Sequence, residues 1–242
     1  MTSLTSRKPS QARMQVNCGN CNLHHICIPG HLNPDEIELL SDIVRRDRNL
    51  CKGEAIYLAG ERFSGIFALK SGTAKLVHVD RSGNETIIAL LLPGELLGFD
   101  GLSSGRYLCS LIALETSSYC ELPSHQVEKI SHRIPSLHPV LLQRTGEQFN
   151  HSIERISLNQ RPADERLAAF LINLSKRYHQ RGFPGECFNL SLTRQEIGNH
   201  LGLALETVSR LLGKFEAAGL IRVKGKNILL LDPDSLVSHL IH

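Results

Sequence analysis

The sequence predicts an α+β protein in which an antiparallel β domain precedes a long helix and a C-terminal winged helix-turn-helix. Three observations support this fold class. Short β-rich runs punctuated by glycines fill residues 52–123, a pattern typical of an antiparallel barrel or jelly roll. Helical periodicity returns after Pro135. The last third contains two short helical segments with the spacing of a helix-turn-helix, and a hairpin follows them.

Composition excludes several classes of protein. A chain of 242 residues with 41% hydrophobic residues can bury one large core or two small ones. No apolar run approaches the roughly 18 residues of a membrane helix, and the opening MTSLTSRKPSQARMQV lacks the apolar stretch of a signal peptide. We therefore expect a cytoplasmic protein without membrane contact. Because phosphate-loop and nucleophile motifs are also lacking, we do not expect an enzyme.

The segment NPDEIELLSDIVRR carries the signals of a helix start. Asn33 can cap the helix, and Pro34 suits its first turn. The carboxylates of Asp35 and Glu36 favour the positive end of the helix dipole. Apolar residues at helical spacing then form one face: Ile37, Leu40, Ile43 and Val44.

A long helix is predicted after the β domain. Leu142, Phe149 and Ile156 are spaced by seven residues, which indicates a weak coiled-coil seam and hence a dimerisation helix. The same pattern also fits a helix packed on its own β domain, and the spacing leaves both interpretations open. Pro162 then marks a hinge, because proline interrupts a helix and suits the first turn of the next one.

The stretch SLTRQEIGNHLGLALETVSRLLGKF predicts the helix-turn-helix. Thr193 and Glu196 form a capping box at the start of the first helix. Gly198 is small where the second helix must cross closely, and Gly202 suits the tight turn. Residues 204–217 would then be the recognition helix.

The recognition helix carries residues that can read bases. Arginine at 210 can bind both acceptors of a guanine, and the carboxylate of Glu206 can accept from a cytosine amine. Basic residues nearby offer phosphate contacts, and a hairpin turning at Gly225 reads as a wing. We therefore predict double-stranded DNA binding through Thr193, Arg194, Glu206, Thr207, Ser209 and Arg210.

Near the N-terminus, VNCGNCNLHHICIPG places three cysteines in the pattern C-x2-C-x5-C. The thiolates of Cys18, Cys21 and Cys27 could converge on one centre, which would be zinc or an iron-sulfur cluster; buried or disulfide-forming thiols are the alternative. Covalent haem is excluded because no CxxCH motif occurs. His24 and His25 could bind zinc, although loop histidines are more often solvated.

With these motifs in place, the chain resembles the fumarate and nitrate reduction (FNR) branch of the cyclic-AMP receptor protein superfamily. The resemblance covers nearly the full length. Its strongest stretches are ERLAAFLINLSKR, LTRQEIGNHLGLALETVSRLLGKF and GLIRVKGK, supported by LLPGELLGFD and ALETSSYCELP. It implies an N-terminal antiparallel β-roll sensor domain of the cyclic-nucleotide-binding type, a long dimerisation helix and a C-terminal winged helix-turn-helix. The implied boundaries are a cluster-binding segment at 1–30, the β-roll at 31–136, the dimerisation helix at 137–159 and the DNA-binding domain at 160–242.

The resemblance also implies a cofactor. Members of this branch bind a 4Fe-4S cluster through the same cysteine spacing followed by IP, and Cys120 lies where their fourth ligand lies. Cys51, Cys109 and Cys187 are expected to be structural. Cluster-loaded dimers of the family bind DNA without oxygen and release it when the cluster is converted. A zinc-based or thiol-disulfide redox regulator on the same fold is the alternative.

Further implications concern partners. By similarity, Glu206, Ser209 and Arg210 read the half-sites of palindromic TTGAT-like operators in anaerobic gene control. The homodimer would contact RNA polymerase through a turn at Gly83 and Asn84, although an acid of the relatives is absent there.

Two departures from the relatives matter. The residues that bind cyclic nucleotide in nucleotide-responsive relatives are replaced by Phe99, Leu108 and Cys109, so no cyclic nucleotide is expected. In the dimerisation helix, His151 stands where relatives carry a repelling acid. The resemblance therefore supports an oxygen-driven change from dimer to monomer less strongly than it supports cluster binding.

Overall fold

The computed structural model describes residues 17–130 and 132–238. A short 3-10 helix, Ile28–His31, is followed by α1, Pro34–Ile43. The predicted start of α1 is confirmed, since the Asn33 side chain accepts from the Glu36 backbone and the Glu36 carboxylate accepts from the Asn33 backbone at 3.1 Å. The helix ends before Val44, whose backbone is extended. Val44 still packs on the same apolar core.

Two four-stranded antiparallel sheets form the β domain, as the sequence predicts. Their orders are β1-β8-β3-β6 and β2-β7-β4-β5. Side chains from both sheets fill the space between them, among them Phe67, Leu69 and Leu111. The strands are β1 Arg45–Leu50, β2 Ala55–Tyr57, β3 Gly65–Ser71, β4 Ala74–Val79, β5 Glu85–Leu91, β6 Leu96–Leu97, β7 Ser110–Ala113 and β8 Ser117–Pro123.

Strand β1 begins earlier than the β-rich region predicted from the sequence. Its sequence RRDRNL lacks the alternation of apolar and polar residues that marks a half-buried strand. The strand forms because its backbone pairs with β8, with Arg45 opposite Glu121 and Leu50 opposite Ser117. Pairing with a distant strand therefore decides the conformation of this polar stretch.

The helical part of the chain follows the β domain. The structure contains α2 Ser124–Ile130, the long α3 Leu137–Leu158 and α4 Ala163–His179. Pro162 occupies the N-cap of α4, which confirms the predicted interruption between the two long helices. Leu137 and Val140 anchor the first turn of α3 in the core beside α1.

The C-terminal domain is a winged helix-turn-helix, as predicted. The capping box of Thr193 and Glu196 is present, and Gly202 ends α5 in the left-handed region with φ 65°. A Cβ on Gly198 would lie 2.5 Å from the Leu203 carbonyl oxygen, so only glycine allows the helices to cross this closely. The elements are β9 Cys187–Asn189, α5 Arg194–Leu201, α6 Leu205–Ala217, β10 Ile221–Lys224, β11 Asn227–Leu230 and α7 Pro233–Ser238.

This domain docks on the edge strand β5 of the β domain. The Asn199 side chain donates to the Glu85 carbonyl at 2.7 Å and accepts from the Ile87 backbone at 2.6 Å. Lys75 of β4 pairs with Glu196 of α5 at 2.7 Å. The two hydrogen bonds of Asn199 satisfy backbone groups that the edge strand would otherwise expose. No helix within the described ranges is long and apolar enough to cross a membrane.

Candidate metal centre and nucleic-acid interface

Cys18, Cys21, Cys27 and Cys120 line one cavity of about 60 Å³. The first three come from the segment before α1, and Cys120 comes from β8, where it lies opposite Ala68 of β3. Most other residues of the wall are apolar: Leu23, Ile28, Pro29, Leu40, Val44, Ile66, Phe67, Ala68, Leu69, Leu96 and Leu122. The structure thus brings together the four cysteines that the sequence and the family resemblance single out.

Local turns shape the cysteine loop, which we define as residues 18–27. The Cys27 backbone donates to the Leu23 carbonyl at 3.0 Å, and the Cys18 backbone donates to the Ser41 hydroxyl of α1 at 3.3 Å. Just after the loop, a Cβ on Gly30 would lie 2.7 Å from the His24 carbonyl oxygen. The glycine of the IPG sequence therefore lets the chain close over the cavity.

Burial dominates the electrostatics of two of the thiols, Cys27 and Cys120. Removal from water raises the pKa of Cys27 to about 12 and that of Cys120 to about 11, and neighbouring cysteines of the cavity raise both pKa values further. Both thiols are therefore protonated at neutral pH when no metal is bound. A metal centre that takes up these ligands must release their protons, so metal affinity rises with pH.

The spread of the donors bears on which metal group they fit. No three His, Cys, Asp or Glu side chains in the described part of the chain lie close enough together to hold a single metal ion. Four thiolates on one zinc ion, each about 2.3 Å from it, would have to crowd together. In a four-iron cluster each cysteine binds a different iron, which spaces the sulfurs more widely. Four cysteine sulfurs in a largely apolar wall are a donor set of the type that holds an iron-sulfur cluster.

The remaining cysteines and the histidines lie in different settings. Cys109 is buried, whereas Cys51 and Cys187 are exposed, and all three are free thiols outside the cavity. His24 lines the cavity. His25 points instead to α4, where its Nε2 lies 3.2 Å from the Gln180 carbonyl oxygen.

The cysteine loop also contacts α3, through a residue that sequence reasoning did not place in the site. Arg144 donates from Nη2 to the Ile26 carbonyl at 3.1 Å, lies 2.9 Å from Nε2 of His31, and pairs with Glu147 at 2.8 Å. A Cβ on Gly94 would collide with the Ile26 side chain at 2.4 Å. The loop therefore contacts α3, α4 and the turn before β6.

The recognition helix α6 spans Leu205–Ala217, close to the range predicted from the sequence. Val208, Leu211 and Phe215 pack into the domain core. Glu206 and Arg210 are exposed, and neither forms a hydrogen bond or ion pair within the part of the chain that the structure describes. Both side chains are thus available to a base edge.

The other candidate DNA contacts surround this helix. Thr207 and Ser209 are half-buried on α6. Arg194 is exposed on the first turn of α5, and Thr193 is exposed but engages its hydroxyl in the capping box. Lys214 pairs with Asp164 at 3.3 Å, and this ion pair weakens the attraction of Lys214 for a DNA phosphate. Other exposed cations lie on the wing: Arg222, Lys224 and Lys226.

The side chains of the proposed dimer seam project from α3 into solvent. Leu142 is 60% exposed, Phe149 66% and Ile156 65%. Apolar side chains this exposed along one helix stripe mark an association surface. The spacing of these residues fits either a dimerisation helix or a helix packed on its own β domain. Their exposure favours the dimerisation helix, in which the apolar stripe would contact a second copy of the chain.

Aromatic rings fill the β domain near the positions that bind nucleotide in some relatives. The rings of Tyr57 and Tyr107 stack with centroids 3.9 Å apart, and Phe67 lies 5.4 Å from Tyr57. The Tyr107 hydroxyl donates to the Gly65 carbonyl at 2.9 Å. Leu108 is exposed and offers a nucleotide phosphate no charge.

Comparisons with known proteins agree with this geometry. Residues 165–238 match the Crp-like helix-turn-helix domain family, and residues 47–133 match the cyclic nucleotide-binding domain family. Electron transport regulator A of Shewanella oneidensis is 38% identical over 96% of this chain and 93% of its own. The fumarate and nitrate reduction regulatory protein of Escherichia coli is 39% identical over 91% of this chain and 89% of its own.

A solved structure supports the architecture. FixK2 of Bradyrhizobium japonicum superposes with a TM-score of 0.73 at 26% identity, covering 81% of this chain and 96% of its own. The predicted α+β class, with its β domain, long helix and winged helix-turn-helix, is therefore confirmed.

Proposed function

Because this chain belongs to the fumarate and nitrate reduction regulatory protein family of DNA-binding transcription regulators, we propose that it senses oxygen through a 4Fe-4S cluster. In this proposal a homodimer controls anaerobic gene expression in the cytoplasm from palindromic TTGAT-like sites and contacts RNA polymerase. Cyclic nucleotide is not its effector.

The observation that carries the proposal is the convergence of four cysteines on one largely apolar cavity. Cys18, Cys21 and Cys27 would hold the cluster from the cysteine loop, and Cys120 would hold it from β8. When bound, a 4Fe-4S cluster supplies reactivity toward oxygen. The surrounding apolar side chains limit the access of water to the thiolates.

Ligation at these four positions would fix the cysteine loop against the β domain. Because the site is assembled only in the folded state, the free energy of metal binding becomes conformational free energy. Loss of ligation would release the loop, which contacts α3 through Arg144 and α4 through His25. A loosened loop would then shift the population away from the arrangement that binds DNA.

The reading of DNA depends on where the two recognition helices lie. A dimer that pairs through α3 would set its two α6 helices about one turn of DNA apart. Arg210 would bind a guanine edge, Glu206 would accept from a cytosine amine, and Ser209 would lie between them. The cations of the wing would contact phosphates.

Purification under argon tests the proposal. We expect about four iron and four sulfide ions per chain in the wild type, and tight binding to a TTGAT palindrome that is lost in air. Cys120→Ser should lose iron and operator binding, whereas Cys187→Ser, which changes an exposed thiol outside the cavity, should keep both.

The same analysis separates the alternatives. Stoichiometric zinc without iron would replace the proposal with a zinc-based regulator. A metal-free protein that loses operator binding on oxidation and regains it with a thiol reductant would replace it with a thiol-disulfide regulator.

A further inference from the structure

Arg46 of β1 reaches into the wall of the cysteine cavity. Its Nη2 lies 3.4 Å from the sulfur of Cys18 and donates to the Ser41 carbonyl and hydroxyl oxygens, each at 2.6 Å. The Ser41 hydroxyl also accepts from the Cys18 backbone at 3.3 Å. Arg46, Ser41 and Cys18 thus form one small network that fixes both the guanidinium and the cysteine.

Two cationic side chains lie in the wall of the cavity. Arg46 and Lys70 are in its lining, whereas no Asp or Glu is among the described residues that line it. The described contacts of the Arg46 guanidinium are the Cys18 sulfur and the two Ser41 oxygens. A partly buried guanidinium that donates to a cysteine sulfur favours negative charge at this point of the cavity.

The neighbouring arginine provides a contrast. Arg45 is exposed and pairs with Glu121 at 3.6 Å, so its charge is already compensated. Successive side chains of a strand point to opposite faces of the sheet. The sequence RR therefore places one cation at the surface and the other against Cys18.

We infer that Arg46 is a positioning residue of the metal centre, which orients Cys18 and supplies positive charge beside it. The inference rests on the proposed function, because it assumes that the cavity holds the cluster. A four-iron centre with four thiolate ligands carries net negative charge, and its reduction potential depends on net charge and on hydrogen bonds to sulfur. A guanidinium donor at a ligand sulfur therefore stabilises the bound cluster and favours its reduction.

The test compares Arg46→Gln with Arg45→Gln in the full-length protein, purified under argon. Arg45→Gln removes the same charge one residue away and should resemble the wild type. In Arg46→Gln we expect iron release to a chelator about tenfold faster and a lower reduction potential of the cluster. Arg46→Lys should restore the potential, because the charge returns, but only part of the resistance to the chelator, because the planar fork is lost.

The outcomes separate this inference from the proposed function. A wild-type protein without iron refutes the proposed function and this inference with it. A wild type that binds the cluster, with an Arg46→Gln variant of equal potential and equal iron release, refutes the inference alone. Should Arg46→Gln fail to fold, Arg46→Lys decides, because it keeps the charge and loses the planar fork: faster iron release than in the wild type supports the inference, and unchanged release contradicts it.

Discussion

Glu95 connects the β domain to the DNA-binding domain, and its replacement gives the sharpest prediction about stability. The carboxylate accepts from Arg177 and Arg181 of the α4 region, each at 2.7 Å. Arg181 also donates to the Pro93 carbonyl at 2.7 Å, and Arg177 donates to the Leu90 carbonyl at 2.6 Å. The side chain of Glu95 is 22% exposed, so water screens this network only partly.

The substitution Glu95→Gln keeps the shape but leaves two arginines without their carboxylate. Breaking a buried pair costs about 3–5 kcal/mol, and the remaining exposure of Glu95 places the expected loss near the lower end, about 3 kcal/mol. For a chain of this size that loss corresponds to a fall in Tm of roughly 6–12 °C. Scanning calorimetry at pH 7 measures it. The control Asp164→Asn disrupts the more exposed pair with Lys214 at 3.3 Å, which is worth at most about 1 kcal/mol.

The pH dependence adds a second check. The neighbouring arginines hold the pKa of Glu95 below its ordinary value of 4.5, although burial acts in the opposite direction. The stabilisation is therefore present above pH 4.5 and is lost as the pH falls through the lower pKa of the folded state. The difference in Tm between wild type and Glu95→Gln should be constant near neutral pH and shrink in acid. A Glu95→Gln variant that melts at the same temperature as the Asp164→Asn control would refute this reasoning.

Three further predictions concern DNA reading, dimerisation and the helix crossing. Arg210→Ala should lose about 1–3 kcal/mol of operator affinity and relax the preference at one base pair, whereas Lys224→Ala should weaken all sequences alike, as anisotropy titrations measure. Phe149→Asp should raise the dimer dissociation constant by about a hundredfold or more in sedimentation experiments, because it puts a charge into the exposed seam. Gly198→Ala should cost about 1–3 kcal/mol of unfolding free energy by overpacking, whereas Gly213→Ala, with no atom within 4 Å, should stabilise by about 0.5–1 kcal/mol.

Each of the three has a contradicting result. Unchanged base preference in Arg210→Ala would exclude Arg210 from base reading. A Phe149→Asp variant that dimerises like the wild type would move the interface away from α3. Equal stabilities of Gly198→Ala and Gly213→Ala would show that the crossing of α5 and α6 adjusts to the added methyl group without a loss of stability.

Local signals explain why the helical parts were predictable. The capping box of Thr193 and Glu196 and the N-cap at Asn33 both formed as the sequence predicts, and in the structure Glu36 completes a second capping box with Asn33. The tight turn at Gly202 and the wing turn at Gly225 need left-handed backbone, which glycine adopts at low cost. Propensity and tertiary packing agree at all four positions.

Long-range contacts explain what the sequence did not reveal. Strand β1 is polar and exists because β8 pairs with it. No pattern in the sequence distinguishes Arg46 from a surface cation. The fold places it beside Cys18, which lies 28 residues away in the sequence. Lys75 of β4 pairs with Glu196 of α5, which lies 121 residues later in the sequence. No local sequence pattern predicts a contact at that separation.

The fourth cysteine is an intermediate case. Spacing alone singled out Cys18, Cys21 and Cys27, but it could not choose among the other cysteines. The family resemblance proposed Cys120, and the fold places Cys120 in the same cavity. Its role as a ligand stays a prediction, as do the domain boundaries and the contact with RNA polymerase.

The most direct measurement of the central claim follows operator binding and iron content in one sample as air is admitted. Anaerobic protein bound to a labelled TTGAT palindrome should release it as the visible absorption of the cluster decays, with affinity falling at least about tenfold. Affinity that stays constant while the iron is lost, or tight binding by protein that never contained iron, would contradict the claim that ligation at the four cysteines controls DNA binding.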